Sequence, residues 1–226
     1  MAKIEKIFEV GWDCDGVFLE SHEPVLSNAN LELTRILGKK IQIEKSDLTS
    51  WSALYDQTLA LTSNPEITNT INQYWFTPDI LRLSPVNQAA IEVFRRCGEL
   101  PNVRQRIITT RTPACRQCTQ DSLEPFLPNF NWQQHFHIRG RSSQLSGDDF
   151  KIQQLKQFGV GLMNEDNLVT VSLIQTELPA CRINYFSQPW NSQDNDPFRN
   201  LLRVDPYNPD KIFERILEAR ENFLSK

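Results

Sequence analysis

Apolar positions along this chain follow two rhythms. Residues 7–12, IFEVGW, are a mostly apolar run too short for a helix, as expected of a strand buried on both faces. Helical spacing follows. Ser27 predicts an N-cap, Leu33, Ile36 and Leu37 share a face, and Gly38 supplies a stop. A second helix is predicted from about Ser46. A third opens at Asn64-Pro65 and carries Ile67, Ile71, Tyr74 and Trp75. Residues 20–83 show no strand pattern, so they read as a helical insert.

From residue 84 onward the two rhythms alternate. Ser84-Pro85 predicts a helix reaching Gly98, and 105–110 (QRIITT) a strand. A helix follows from Thr112-Pro113, then a strand at 136–140, a helix at 149–159 and a strand at 160–166. Another helix covers LVTVSLIQTEL, a strand 182–187, and an amphipathic helix starting at Asn208-Pro209 closes the chain. This alternation predicts an α/β fold: a Rossmann-like, mostly parallel sheet flanked by helices. The core would be residues 1–19 and 84–226, with residues 20–83 inserted after the first strand.

Composition narrows the function classes. At 226 residues the chain suffices for one domain carrying a sizeable insert. Its net charge is −4 and its Lys and Arg are scattered, which excludes a basic face tracking nucleic acid. No apolar run is long enough to cross a bilayer, and MAKIEKIF lacks a signal peptide's apolar stretch, so no membrane partner is expected. Five cysteines without the spacing of a small secreted domain predict a reducing, cytoplasmic home.

In doubly covered parallel sheets ligands bind at the carboxyl ends of the strands. The residues that follow the predicted strands are Asp13 and Asp15, then Thr109, Thr110 and Arg111, then Glu165 and Asp166, then Gln188-Pro189-Trp190-Asn191. At an extended strand end residues 13 and 15 project to the same side, so their carboxylates are expected to share one space. Three or four converging acids need a cation, and all-oxygen ligation suits Mg²⁺. With the charge partly neutralised, one aspartate can serve as nucleophile and the other as acid and base.

The stretches D-C-D-G-V (13–17), I-I-T-T-R (107–111), Lys151 and E-D (165–166) resemble, in order, the four motifs of the haloacid dehalogenase superfamily. The insert is similar to that superfamily's C1 cap. D-G-V, T-x-R, E-D-N and Q-P-W-N most resemble its 5′-nucleotidase (deoxyribonucleotidase) branch. The resemblance implies that Asp13 attacks phosphorus, forming an aspartyl-phosphate. Asp15 would protonate the leaving oxygen, activate the hydrolytic water and lend its backbone carbonyl to Mg²⁺. Thr109 would bond a phosphoryl oxygen, Lys151 would offset charge, and Asp166 with Glu165 would complete the metal site. Glu165-Asp166-Asn167 stands where that branch has paired aspartates and an arginine, which leaves the direct ligand open between Glu165 and Asp166. Lys156 competes with Lys151, which is preferred because it follows the 147–149 turn. Thr110 competes with Thr109, since strand alternation turns only one of them to the phosphate. Thr110, Arg111, Trp51 and Asn191 are candidate substrate contacts.

The expectation is a Mg²⁺-dependent phosphatase acting on a small phosphorylated metabolite, a nucleoside monophosphate being favoured, as a monomer or homodimer. Its rivals are a phosphomutase of the same superfamily, a protein that binds Mg²⁺ and a phospho-ligand without turnover, and a dithiol oxidoreductase acting through Cys115 and Cys118.

Overall fold

The computed structural model describes residues 6–50, 52–140, 145–192 and 201–225. The chain begins with β1 (Phe8–Trp12), α1 (His22–Leu37), α2 (Ala53–Thr62), α3 (Pro65–Asn72) and α4 (Pro78–Leu81). It continues with α5 (Gln88–Gly98), β2 (Val103–Thr109), α6 (Arg116–Leu123), α7 (Trp132–His135), β3 (Phe136–Ile138) and α8 (Gly147–Phe158). The last elements are β4 (Val160–Glu165), α9 (Leu168–Glu177), β5 (Arg182–Phe186), β6 (Leu201–Val204) and α10 (Pro209–Leu224). Six strands form one sheet in the order β3-β2-β1-β4-β5-β6, every pairing parallel. The α/β, Rossmann-like class expected from the sequence is the class observed.

All five residues of β1 are buried, because helices cover both faces of the sheet. On one side, beside α5 and α10, Trp12, Phe18 and Phe94 pack ring on ring. On the other, Ile108, Leu155, Met163, Val171 and Ile183 join β2, β4 and β5 to α8 and α9. The order reverses beside β1, since β2 lies on one side of it and β4 on the other. Trp12 is level with Ile107 of β2 and with Asn164 of β4. The carboxyl ends of three strands therefore meet at the switch point, where doubly wound sheets bind ligands.

Residues 20–83 are helical wherever they are described as regular structure. Val25, Leu33, Leu54, Ile71 and Leu81 form an apolar cluster that also takes in Cys115, Cys118 and Trp190 of the sheet-bearing part. The insert thus packs on the carboxyl edge of the sheet.

Several boundaries differ from expectation. α1 starts at His22, five residues ahead of Ser27, with Pro24 in the first turn where its missing N–H costs no hydrogen bond. Near Ser46 there is only a 3-10 turn, closed by reciprocal Glu44 and Asp47 caps, and α2 begins at Ala53. α5 begins at Gln88, not at Ser84-Pro85, because Asn87 caps it through the Ala89 and Ala90 amides. Residues 147–149 are the first turn of α8, capped by Ser146, rather than a separate turn. β6 was not foreseen. Among the described residues no helix is long and apolar enough to cross a membrane.

Candidate active site

Asp13 follows the last residue of β1 and stays tied to β4 through its amide, which donates to the Asn164 carbonyl (3.0 Å). The chain then reverses. The Phe18 and Leu19 amides both donate to the Cys14 carbonyl (2.9 Å each), and Gly16 sits at φ +71°. Within this turn Asp13 and Asp15 stay close enough for each to feel the other's charge. Strand alternation ends at Trp12, and the two carboxylates face different partners.

Asp13 lies 3.0 Å from the Lys151 ammonium, which is 1% exposed and also donates to Glu165 (2.7 Å). The other oxygen of Glu165 accepts the Asp166 and Asn167 amides, 3.1 Å each. Both oxygens of Glu165 thus take part in holding Lys151 and the strand end. Asp166 accepts from the Trp190 indole (3.1 Å) through one oxygen, while its other oxygen, like Oδ1 of Asp13, is buried without a partner. Atoms of Asp13, Glu165 and Asp166 lie within 4.8 Å of one another. Burial drives the carboxyls of Asp13 and Asp166 well above the ordinary range. Lys151 opposes this at both residues, and the neighbouring acids reinforce it.

The second aspartate has a different environment. Arg111 approaches Asp15 through Nε (2.9 Å) and a terminal nitrogen (2.6 Å), and the Ser21 hydroxyl donates to the same carboxylate. Burial alone would raise Asp15, but the charge and hydrogen bonds of Arg111 outweigh it and hold the group below its ordinary value. Arg111 is in turn fixed by Thr119 (2.7 Å) and Ser21 (2.8 Å). Among the described residues, the four acids Asp13, Asp15, Glu165 and Asp166 pair with two cations, Lys151 and Arg111. The excess of acids over cations and the two orphaned oxygens, on Asp13 and Asp166, fit a divalent cation with hard oxygen ligands that would take the place of the protons burial favours.

Thr109 is fully buried, and its hydroxyl accepts the Arg111 amide at 3.3 Å. Thr110 turns the other way, against Gly147 at the start of α8, where an added Cβ would come within 2.9 Å of it. Lys151 and Lys156 both lie on α8. Five residues set them about 140° apart around the helix, so Lys151 reaches the carboxylates while Lys156 pairs with Glu177 at the surface.

Two candidate substrate contacts need correction. Asn191 is buried, its amide donating to the Asp166 and Phe186 carbonyls and its oxygen accepting from Gln188 and Arg203. That uses its hydrogen-bonding capacity within the protein. The guanidinium of Arg111 is likewise committed to Asp15, Ser21 and Thr119. Trp51 lies outside the described residues. Sequence reading missed the contribution of Ser21, which the β1 turn brings back to Asp15, and of Thr119. It also missed that Trp190 touches Asp166 and that Gln188 donates to the Gly16 carbonyl (2.8 Å). For the last two the signal was present in Q-P-W-N, whose role stood open between a substrate-facing loop and a rigid turn.

The insert closes over this edge. Leu48, Ser50, Leu54, Trp75 and Trp190 enclose only about 10 Å³, room for one water at most. A hollow of about 540 Å³ opens at the other end of β2, among Phe94, Val103, Phe126 and Phe130, away from the carboxylates.

No protein-family model matches this sequence, and neither does any curated protein. Solved structures do match. A haloacid dehalogenase-like family hydrolase from Streptococcus pneumoniae superposes with a TM-score of 0.61 at 14% identity, covering 93% of this chain and 98% of its own. A protein described as a candidate beta-phosphoglucomutase from Bacteroides vulgatus gives 0.59 at 15%, over 95% and 90%. One described as a predicted phosphatase from Clostridium acetobutylicum gives 0.58 at 14%, over 94% and 99%. At such identities the likeness establishes a shared fold, that of the haloacid dehalogenase hydrolases.

Proposed function

We propose that this protein is a Mg²⁺-dependent phosphomonoester hydrolase working through a phosphorylated Asp13. The observation that carries the reading is the buried group of Asp13, Lys151, Glu165 and Asp166 at the switch point, with one oxygen each of Asp13 and Asp166 left without a partner. Asp13 is the nucleophile. Lys151, held by Glu165, lies against the attacking carboxylate and offsets the charge that gathers between it and the phosphoryl oxygens. The Thr109 hydroxyl binds a phosphoryl oxygen. Asp15 gives a proton to the leaving oxygen and then accepts one from the hydrolytic water. Arg111 keeps Asp15 ionised beforehand, so the proton it delivers arrives with the substrate monoanion or from solvent. Mg²⁺, held by Asp13, Asp166 and the backbone carbonyl of Asp15, would supply charge neutralisation and a fixed orientation for the phosphate.

The motif resemblance favours a nucleoside monophosphate as substrate. The test is phosphate release from nucleoside monophosphates, sugar phosphates and an aryl phosphate, with Mg²⁺ and with chelator. Mg²⁺-dependent release, fastest with a nucleoside monophosphate, is expected. Isomerised sugar phosphate without free phosphate would make the protein a mutase. Tight Mg²⁺ and phosphate binding with no turnover of any ester would leave a binding protein.

A further inference from the structure

The first turn of α6 carries chemistry that phosphate hydrolysis does not use. Cys115 sits at its N-cap and Cys118 three residues on, so both thiols lie over the same helical turn. The Cys118 thiol lies 3.2 Å from the Cys115 carbonyl, and the Cys115 thiol 3.5 Å from both the Thr112 hydroxyl and the Phe76 carbonyl of the insert. Burial pushes the Cys97 and Cys181 thiols up to about 12 and raises Cys14 too. The Cys115 and Cys118 thiols hydrogen-bond each other, which draws the Cys115 thiol down and, with burial, pushes the Cys118 thiol up, so the thiolate of the pair sits on Cys115. A helix N-terminus stabilises a thiolate in the same sense.

We infer that Cys115 and Cys118 form a reversible dithiol–disulfide pair at the boundary between the insert and the sheet-bearing part. The Cys115 thiolate attacks one sulfur of a low-molecular-weight disulfide RSSR and expels one thiolate, leaving a mixed disulfide on Cys115. Cys118 then gives up its proton and attacks the Cys115 sulfur, expelling the second. The pair is oxidised and RSSR is reduced to two RSH. Both thiols are covered by the insert, so exchange proceeds when the segment around Phe76 lifts.

Two contacts give the bond a consequence. The Thr119 hydroxyl donates to the Cys115 carbonyl and accepts from Arg111, 2.7 Å each, and Arg111 holds Asp15. A disulfide fixes the two Cβ atoms at roughly 3.8 Å, and so constrains the turn whose Cys115 carbonyl holds Thr119. It also removes the Cys115 S–H from the Phe76 carbonyl. The bond itself stands independently of the phosphatase reading, while this effect on turnover rests on it.

The experiment treats the full chain with oxidised glutathione, alkylates residual thiols under denaturing conditions and maps the peptides. The expected result is a Cys115–Cys118 link that dithiothreitol reverses, with Cys14, Cys97 and Cys181 alkylated. Cys118→Ser should trap glutathione on Cys115, and Cys115→Ser should take up none at Cys118. Absence of the link in excess oxidant, or links scrambled onto the other cysteines, would overturn the inference. Circular dichroism of each variant keeps misfolding distinguishable. Phosphate release should fall about ten- to a hundredfold on oxidation and not in Cys115→Ser. A reduced enzyme that releases none refutes the phosphatase reading while the thiol map still judges the pair.

Discussion

Lys151 concentrates the electrostatics of the site in one side chain. It is the cation between Asp13 and Glu165, and those two charges outweigh the burial that would otherwise strip its proton. Removing it leaves buried carboxylates unpaired, which costs about 3–5 kcal/mol. Lys151→Met is therefore expected to lose stability of that size in urea unfolding without Mg²⁺ and to regain part of it with Mg²⁺; unchanged stability would refute the assigned role. The raised carboxyls of Asp13 and Asp166 give a second expectation at this scale. A cation must displace the protons these groups retain, so Mg²⁺ binding should release protons and tighten as pH rises. Calorimetry in buffers of different ionisation enthalpy measures both, and binding indifferent to pH would contradict the arrangement.

At the scale of elements, the turn after β1 decides where the carboxylates point. Gly16 is at φ +71°, and a Cβ there would come within 2.0 Å of Asp166 Oδ2. Gly16→Ala should weaken Mg²⁺ binding and lower the melting temperature. Gly38 has nearly the same φ, +63°, but open space around it, so Gly38→Ala should cost only about 1–2 kcal/mol and leave Mg²⁺ binding intact. Equal effects on Mg²⁺ binding would show that the Asp166 contact is immaterial. This turn also marks where sequence reading stopped working. The strands before Asp13 and Glu165 were legible because buried parallel strands are short apolar runs, and the helix at Asn64-Pro65 because its cap is local. That Asp13 would pair with Lys151 and Asp15 with Arg111 was not legible, since it depends on the chain reversal that follows β1. The roles of Ser21 and Arg111 were hidden for a similar reason: they meet across 90 residues of sequence, through a fold that no local spacing encodes. Asn191 looked like a substrate contact because polar loop residues are visible in sequence, whereas the four bonds that occupy it are not.

For the molecule as a whole, buried histidines contribute to the response to acid, against the opposite contribution of the raised Asp13 and Asp166. Burial, aided by Lys45, holds His22 at about 4, and burial with Arg106 does the same for His137. Both lie below the ordinary 6.5, so as pH falls the unfolded chain takes up protons first. Their contribution is unchanged above about 6.5 and declines from there toward 4, by up to roughly 3 kcal/mol for the buried His22. Urea unfolding at pH 7 and pH 5 should show His22→Gln losing less stability on acidification than the wild type; an equal change in both would refute a contribution from His22. Every step of the proposed reaction follows from Asp13 donating an oxygen to phosphorus. The most direct measurement quenches the enzyme during turnover of a substrate labelled with radioactive phosphate in Mg²⁺ and maps the labelled peptide. The prediction is a hydroxylamine-labile label on the peptide containing Asp13, absent from Asp13→Asn along with all turnover. Turnover that persists in Asp13→Asn, with no label at any time point in the wild type, would contradict it.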